Sequence, residues 1–321
     1  MVKIQDIYAA RRRIAPLVQR TPLEYSRPLS EVTGADVYLK LEMMRETRAF
    51  KVRGATNFIM ALSPEERQQG IVAASGGSHA VGVACAANRL GVPATLVLTE
   101  RSPRHLRAIC ASYGAEVVVQ GQVYNDAAAV AEEISRKTGR RFIHSYDDPF
   151  IIAGQGTVGL EIMEDLPDVD AVLVPVGGGG LLAGVGCAVK TLRPQAEVIG
   201  VEPQQAAAMA ASLREGRQVW LEDPRSLADR LVVKAVGALN LAMAQHYADR
   251  VVTVSEEAIA RAICSLLDKA SLLAEGAAAT ALAALEAQRD ALQGRKVVLI
   301  LTGGNIDPRV LAGVLSQCVA T

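Results

Sequence analysis

The sequence predicts an α/β fold built on doubly wound, open parallel sheets. Short apolar runs alternate with helical patterns along the chain, an order that favours right-handed crossovers. Half of the 321 residues are hydrophobic and only 4% are aromatic, so the core must come from Ala, Val, Leu and Ile. That composition suits strands buried on both faces. Glycine- and serine-bearing segments fall at or just after several strand ends, where ligands gather in such sheets. At this length two domains are expected, since one core seldom grows past about 250–300 residues.

Taken in order, strands are predicted at Val37–Glu42, Gly70–Ser75, Ala94–Thr99, Glu116–Gln120, Arg141–Ser145, Ala171–Val176, Val198–Val201 and Lys296–Leu301. Helices are predicted between them, among others at His79–Leu90, Arg104–Tyr113, Asn125–Lys137, Ile151–Asp165 and Asp307–Gln317. No repeat or low-complexity stretch interrupts the pattern.

Composition excludes several function classes. The 34 basic residues balance the 34 acidic ones, and no Lys/Arg run exceeds the three residues Arg11-Arg12-Arg13, which argues against a nucleic-acid partner. No apolar run approaches the length of a membrane span. The opening Met1-Val2-Lys3-Ile4-Gln5-Asp6 lacks a secretory core, so a cytoplasmic location is expected. The five cysteines, Cys85, Cys110, Cys187, Cys264 and Cys318, are scattered and form no Cys-x-x-Cys pair. They read as reduced core residues.

Two segments suggest chemistry. Lys51 stands beside Phe50 in Thr47-Arg48-Ala49-Phe50-Lys51-Val52-Arg53-Gly54-Ala55. Nearby cations such as Arg48 and Arg53, or a desolvating pocket, would lower its pKa and suit it to Schiff-base formation. Alone, the segment reads more readily as a solvated helix start than as a catalytic one. The second segment is Gly177-Gly178-Gly179-Gly180, between a buried strand and a helix of small residues. Such a loop turns backbone N–H groups toward an anion at a helix N-terminus. One or two glycines would serve a tight turn. The run matches neither Gly-x-Gly-x-x-Gly nor a P-loop, which disfavours a dinucleotide or ATP phosphate.

A lysine plus a phosphate cradle suggests pyridoxal phosphate, and the chain resembles the fold-type II pyridoxal-phosphate (tryptophan synthase β-like) enzymes. It is most similar to their serine/threonine dehydratase (ammonia-lyase) and serine racemase family. The resemblance rests on the lysine motif, on Ser75-Gly76-Gly77-Ser78-His79, on the tetraglycine loop, and on Thr302-Gly303-Gly304-Asn305, in the family's order and spacing. Ile152-Ala153-Gly154-Gln155-Gly156-Thr157 and Asp147-Asp148-Pro149 are also dehydratase-like.

The resemblance implies two open-sheet domains: residues 71–144 as a small one carrying the substrate loop, and residues 1–70 plus 145–321 as a large one. It implies that Lys51 holds pyridoxal 5′-phosphate and serves as the catalytic base. Phe50, Ser78, Gly177 to Gly180 and Thr302 would bind the cofactor, with Thr302 at the pyridine nitrogen. Ser75, Gly76, Gly77, Ser78 and His79 would hold the substrate carboxylate, and Glu275 and Asn305 match positions near the ring. Ser78 reads alternatively as an N-cap. A homodimer acting on a small amino acid is expected, with water and then ammonia removed from a β-hydroxy amino acid. With so few residues after Thr302, the regulatory domain of biosynthetic threonine dehydratases, and feedback control by an end-product amino acid, are not expected.

Departures from the family pattern matter. Ser78 replaces a longer asparagine, Ala49 a serine, and Gly76 the serine that is the second base of serine racemases. The smaller side chains suggest room for a bulkier substrate such as phenylserine. Glu202 is followed by Ala206 and Ala208 where the family's metal site expects a second carboxylate, so no metal is expected. Two alternatives stay open, a β-replacement synthase of cysteine-synthase type and a binding protein that has lost catalysis; a nucleotide-binding dehydrogenase is disfavoured because Gly-x-Gly-x-x-Gly is missing.

Overall fold

Ten strands form two separate sheets in the computed structural model, which describes all residues except Arg101, Val123, Ala320 and Thr321. In chain order they are β1 Leu23–Tyr25, β2 Asp36–Leu41, β3 Ile71–Ser75, β4 Ala94–Leu98, β5 Glu116–Val119, β6 Arg141–Ile143, β7 Ala171–Pro175, β8 Glu197–Pro203, β9 Arg250–Val254 and β10 Lys296–Leu301. One sheet has four strands in the order β5-β4-β3-β6, all parallel. The other has six in the order β1-β2-β10-β7-β8-β9, parallel except for the edge pair β1–β2.

The larger sheet is covered on both faces, as its strand residues show. Along β10, Val297, Leu299 and Leu301 belong to the core shared with the helices Glu256–Ala270 and Gly276–Ala287. Val298 and Ile300 face the opposite core, with Leu181, Leu182 and Val185 of the helix Gly180–Leu192. Side chains alternate across a strand, so a chain apolar at every position must be buried on both sides. Alanine makes this packing possible: Gly276 to Leu285 is entirely buried against the sheet.

The smaller sheet packs on the helices Ser78–Leu90 and Arg104–Ser112. The same core takes in Ala55, Phe58 and Ile59 from the helix Val52–Ala61 and Ile151 from the helix Pro149–Asp165.

Most predicted strands form within a residue or two of their expected limits. Two strands went unpredicted. β1 has only three residues and an exposed outer side, and β9 is an edge strand without a continuous apolar run. The expectation of five reduced cysteines is corrected. Cys264 and Cys318 form a disulfide, because the helices Glu256–Ala270 and Pro308–Val319 pack together and bring their Cα atoms to 6.6 Å. That separation is within disulfide reach. Cys85, Cys110 and Cys187 are free and buried.

Candidate active site

The lysine segment is fixed by the loop that follows β10. Phe50 N donates to Thr302 O (3.2 Å), Gly304 N to Arg48 O (3.0 Å) and Asn305 Nδ2 to Thr47 O (3.0 Å), while Ala49 and Gly303 form a β-bridge. Arg48 adopts φ 51°, a left-handed conformation uncommon outside glycine. It turns the chain so that Lys51 stands directly before the helix Val52–Ala61. Asn305 thus clamps the lysine loop, and its side-chain amide is not in the cavity lining as the resemblance implied.

Arg53, the second residue of that helix, is fully buried. Its guanidinium reaches Glu42 Oε1 (2.7 Å), Glu161 Oε1 (2.6 Å) and Thr157 Oγ1 (2.9 Å). Lys40 Nζ joins at 2.7 Å from Glu161 Oε2. Burial alone would raise the Glu42 pKa, but Arg53 and Arg45 hold the carboxyl well below its usual range. Arg53 therefore anchors the helix to the turn Glu42–Met44 that follows β2 and to the helix Pro149–Asp165. The expectation that Arg48 and Arg53 depress the Lys51 pKa is corrected: Arg53 is neutralised by its carboxylates, and Arg48 is exposed.

Lys51 Nζ donates to Ser145 O (2.9 Å) and lies 5.2 Å from the centre of the Phe50 ring. Burial lowers its pKa from 10.5 to about 8. At pH 7 about a tenth of the amine is then neutral, against less than one part in a thousand for an ordinary lysine. The rate at which apoprotein forms its covalent adduct with pyridoxal phosphate should climb about tenfold from pH 6 to pH 7 and level off above about 8. A rate still rising tenfold per pH unit beyond 9, followed by absorbance, would contradict a desolvated Lys51.

Around Lys51 the structure opens a cavity of about 600 Å³. Phe50, Ser75, Gly76, Gly77, Ser78, His79, Gly177 to Gly180, Glu275 and Thr302 all line it, so of the residues expected at the site only Asn305 is not brought to the cavity. These residues come from the ends of β3, β7 and β10 and from the lysine loop.

The tetraglycine loop turns from β7 into the helix Gly180–Leu192, with Gly179 at φ 96° as its N-cap. The first intrahelical bond runs from Ala183 N to Gly179 O, so the amides of Gly180, Leu181 and Leu182 precede any such partner. A Cβ on Gly178 would overlap the Tyr146 ring, and one on Gly179 would lie 2.7 Å from Met209 Cε. Asn240 Nδ2 holds the loop through Gly178 O (2.7 Å). Glycine is required here for close packing as well as for φ.

Two hydroxyls on the cavity wall are buried without a hydrogen-bond partner, Ser78 Oγ and Thr302 Oγ1. Buried polar groups normally find partners. Their clustering beside a desolvated lysine and a free helix N-terminus fits a ligand with a ring nitrogen, hydroxyls and an anionic group. Pyridoxal phosphate meets that description. The N-cap reading of Ser78 is corrected: Gly77 is the N-cap of the helix Ser78–Leu90, and the Ser78 hydroxyl makes no cap bond. Burial, then Lys51 and His144, push the His79 pKa down to about 3, so its ring is neutral. Burial pushes Glu275 up to about 7, opposed by Arg230.

Residues 14–303 match the pyridoxal-phosphate dependent enzyme family. The chain belongs to that family. It is 46% identical to an L-threonine ammonia-lyase of Thermotoga maritima, over 99% of this chain and 79% of the relative. It is 40% identical to a catabolic L-threonine dehydratase of Staphylococcus aureus, over 99% of this chain and 93% of the relative. The processed form of threonine deaminase isoform 2 from Solanum lycopersicum superposes with a TM-score of 0.93 at 36% identity, covering 98% of this chain and 91% of that one. As in other pyridoxal-phosphate dependent enzymes, the cofactor is pyridoxal phosphate, and the fold is the two-sheet fold-type II architecture.

Sequence reasoning missed Arg230, Tyr146, Tyr124 and the segment Glu222 to Ser226, all on the cavity wall. Arg230 and Glu222 to Ser226 belong to a stretch without helical or strand periodicity, and no local pattern marks it. The room expected beside Gly76 is present, since an added Cβ there would meet only Thr99 Oγ1, at 3.9 Å. The adjoining wall is the charged Arg230 and not an apolar surface. Glu202 uses both carboxylate oxygens on the amides of Met209 and Ala210 (2.8 Å each).

Proposed function

We propose that this chain is a pyridoxal-phosphate-dependent ammonia-lyase that converts a β-hydroxy amino acid to a 2-keto acid and ammonia. Threonine is the member of that class that its relatives' names point to. The observation that carries the reading is the desolvated Lys51 amine, facing a cavity whose far walls are an anion-binding helix N-terminus and the Thr302 hydroxyl.

When bound, pyridoxal phosphate supplies a conjugated ring that takes up the electron pair left by the departing α-proton. The amides at Gly180 to Leu182 hold the phosphate. Thr302 Oγ1, otherwise unpartnered, offers the pyridine nitrogen a hydroxyl and no charge, a milder partner than a carboxylate. Phe50 and Ser78 complete the cofactor pocket. The amides opening the helix Ser78–Leu90, with Ser75, Gly76 and Gly77 behind them, receive the substrate carboxylate. Lys51 Nζ would anchor the cofactor through its aldehyde and, when free, would take the α-proton as general base. Its pKa near 8 leaves it largely able to accept that proton at mildly alkaline pH. The β-hydroxyl departs as water; a water molecule later adds as ammonia leaves.

Residues 71–144 as a substrate-loop domain and a cytoplasmic homodimer are parts of the same proposal, and sedimentation of the pure protein tests the dimer. The described chain has no helix long and apolar enough to cross a membrane. Purified holoenzyme incubated with threonine and serine should release ammonia and the corresponding 2-keto acid in equal amounts. Replacement of the hydroxyl by added sulfide without ammonia release would favour a β-replacement synthase. No turnover of any β-hydroxy amino acid would overturn the reading.

A further inference from the structure

Arg230 is the charged group on the cavity wall that the reaction above leaves without a role. It sits in the short turn Asp229–Leu231, with a side chain 14% exposed. Its guanidinium lies against the substrate loop: Nη1 is 3.4 Å from Gly76 O, and a Cβ on Gly77 would come within 2.5 Å of Nη1. Glycine at position 77 is therefore what lets a cation rest beside the amides that receive the α-carboxylate.

That cation is incompletely neutralised. Asp229 Oδ2 is 3.0 Å from Nη1, but the Asp229 side chain is 60% exposed and its charge is screened by water. Glu275 Oε2 stands 4.0 Å from Nε, too far for a hydrogen bond. Nε is buried and has no hydrogen-bond partner. Apart from the hydroxyl that departs, serine and threonine carry only hydrogen or methyl at the β-carbon and bring no charge to match the guanidinium. A carboxylate satisfies it, because a guanidinium presents paired donors that match two carboxylate oxygens. The α-carboxylate is already provided for by the amides and the free hydroxyl at Ser78. The cavity of about 600 Å³ that Arg230 lines leaves room for a second acidic group.

We propose that Arg230 binds a carboxylate on the substrate's β-carbon, so that the site is selective for β-hydroxy dicarboxylic amino acids of the 3-hydroxyaspartate type. This rests on the ammonia-lyase reading and names its substrate class. The reaction is unchanged in its balance: 3-hydroxyaspartate loses the β-hydroxyl as water, regains water as ammonia leaves, and gives a 2-keto dicarboxylate.

The test compares 3-hydroxyaspartate diastereomers with threonine and serine on the wild-type holoenzyme, Arg230→Gln and Arg230→Lys. The wild type should show kcat/KM for one hydroxyaspartate isomer at least about tenfold above threonine. Arg230→Gln should lower the hydroxyaspartate value roughly 100-fold, mainly through KM, and change threonine less than about threefold. Arg230→Lys should restore part of the loss. A binding readout accompanies this: aspartate, with both carboxylates but no hydroxyl to eliminate, should perturb the cofactor absorbance at lower concentration than alanine. In Arg230→Gln that advantage should vanish. An equal fall for all substrates would overturn the proposal by placing Arg230 on the α-carboxylate. Threonine turnover without hydroxyaspartate turnover, or aspartate binding no tighter than alanine in the wild type, would also overturn it while leaving the ammonia-lyase reading intact. Absence of ammonia from every substrate would instead defeat that reading. If Arg230→Gln fails to fold, the wild-type ratios and Arg230→Lys decide.

Discussion

Lys51→Ala is expected to lower turnover of β-hydroxy amino acids by roughly four orders of magnitude, because one substitution removes both the cofactor's anchor and the general base. The fold should survive. Lys51 Nζ makes a single hydrogen bond, to Ser145 O, and the helix that follows it is held by Arg53 and not by the lysine. The variant should therefore bind pyridoxal phosphate without a covalent link, with an absorption spectrum like that of the free aldehyde. A circular dichroism spectrum and melting temperature close to wild type, alongside lost activity, would separate chemistry from stability. Residual activity above about a hundredth of wild type would show that another group serves as base.

Arg53→Met is expected to have the largest effect on stability. It removes the cation shared by Glu42 and Glu161 and leaves two buried carboxylates with only Arg45 and Lys40 beside them. Breaking a buried ion pair from one side typically costs about 3–5 kcal/mol, since the remaining charge stays out of water. In a protein of this size that corresponds to a fall in melting temperature on the order of 10 °C. A drop of less than about 2 °C would mean that the network relaxes around the change.

These two residues show where the sequence was legible. The lysine segment, the tetraglycine loop and the Thr302 loop are local patterns, each with a side chain or backbone type its chemistry needs, and the fold brings them to one cavity. Strands buried on both faces also announce themselves: β10 has the limits Lys296–Leu301 that its unbroken apolar run predicted. Arg53 is adjacent to the motif, yet its role depends on Glu161, more than a hundred residues away. No local pattern encodes that pairing, and the arginine was assigned to Lys51 for want of it. Arg230 was invisible for a similar reason, because an irregular segment reaches the cavity through tertiary packing alone. The Cys264–Cys318 disulfide depends on two helices that the sequence does not show to be neighbours.

The central claim is that Lys51, out of all the lysines, carries the cofactor. Reduction of the holoenzyme with borohydride, followed by proteolysis and mass spectrometry, tests it directly. One pyridoxyl group per chain is expected, on the peptide containing Phe50-Lys51-Val52. A stoichiometric adduct on Lys234, which also lines the cavity, or on any other lysine would contradict it, as would the absence of an adduct in protein that has bound the cofactor.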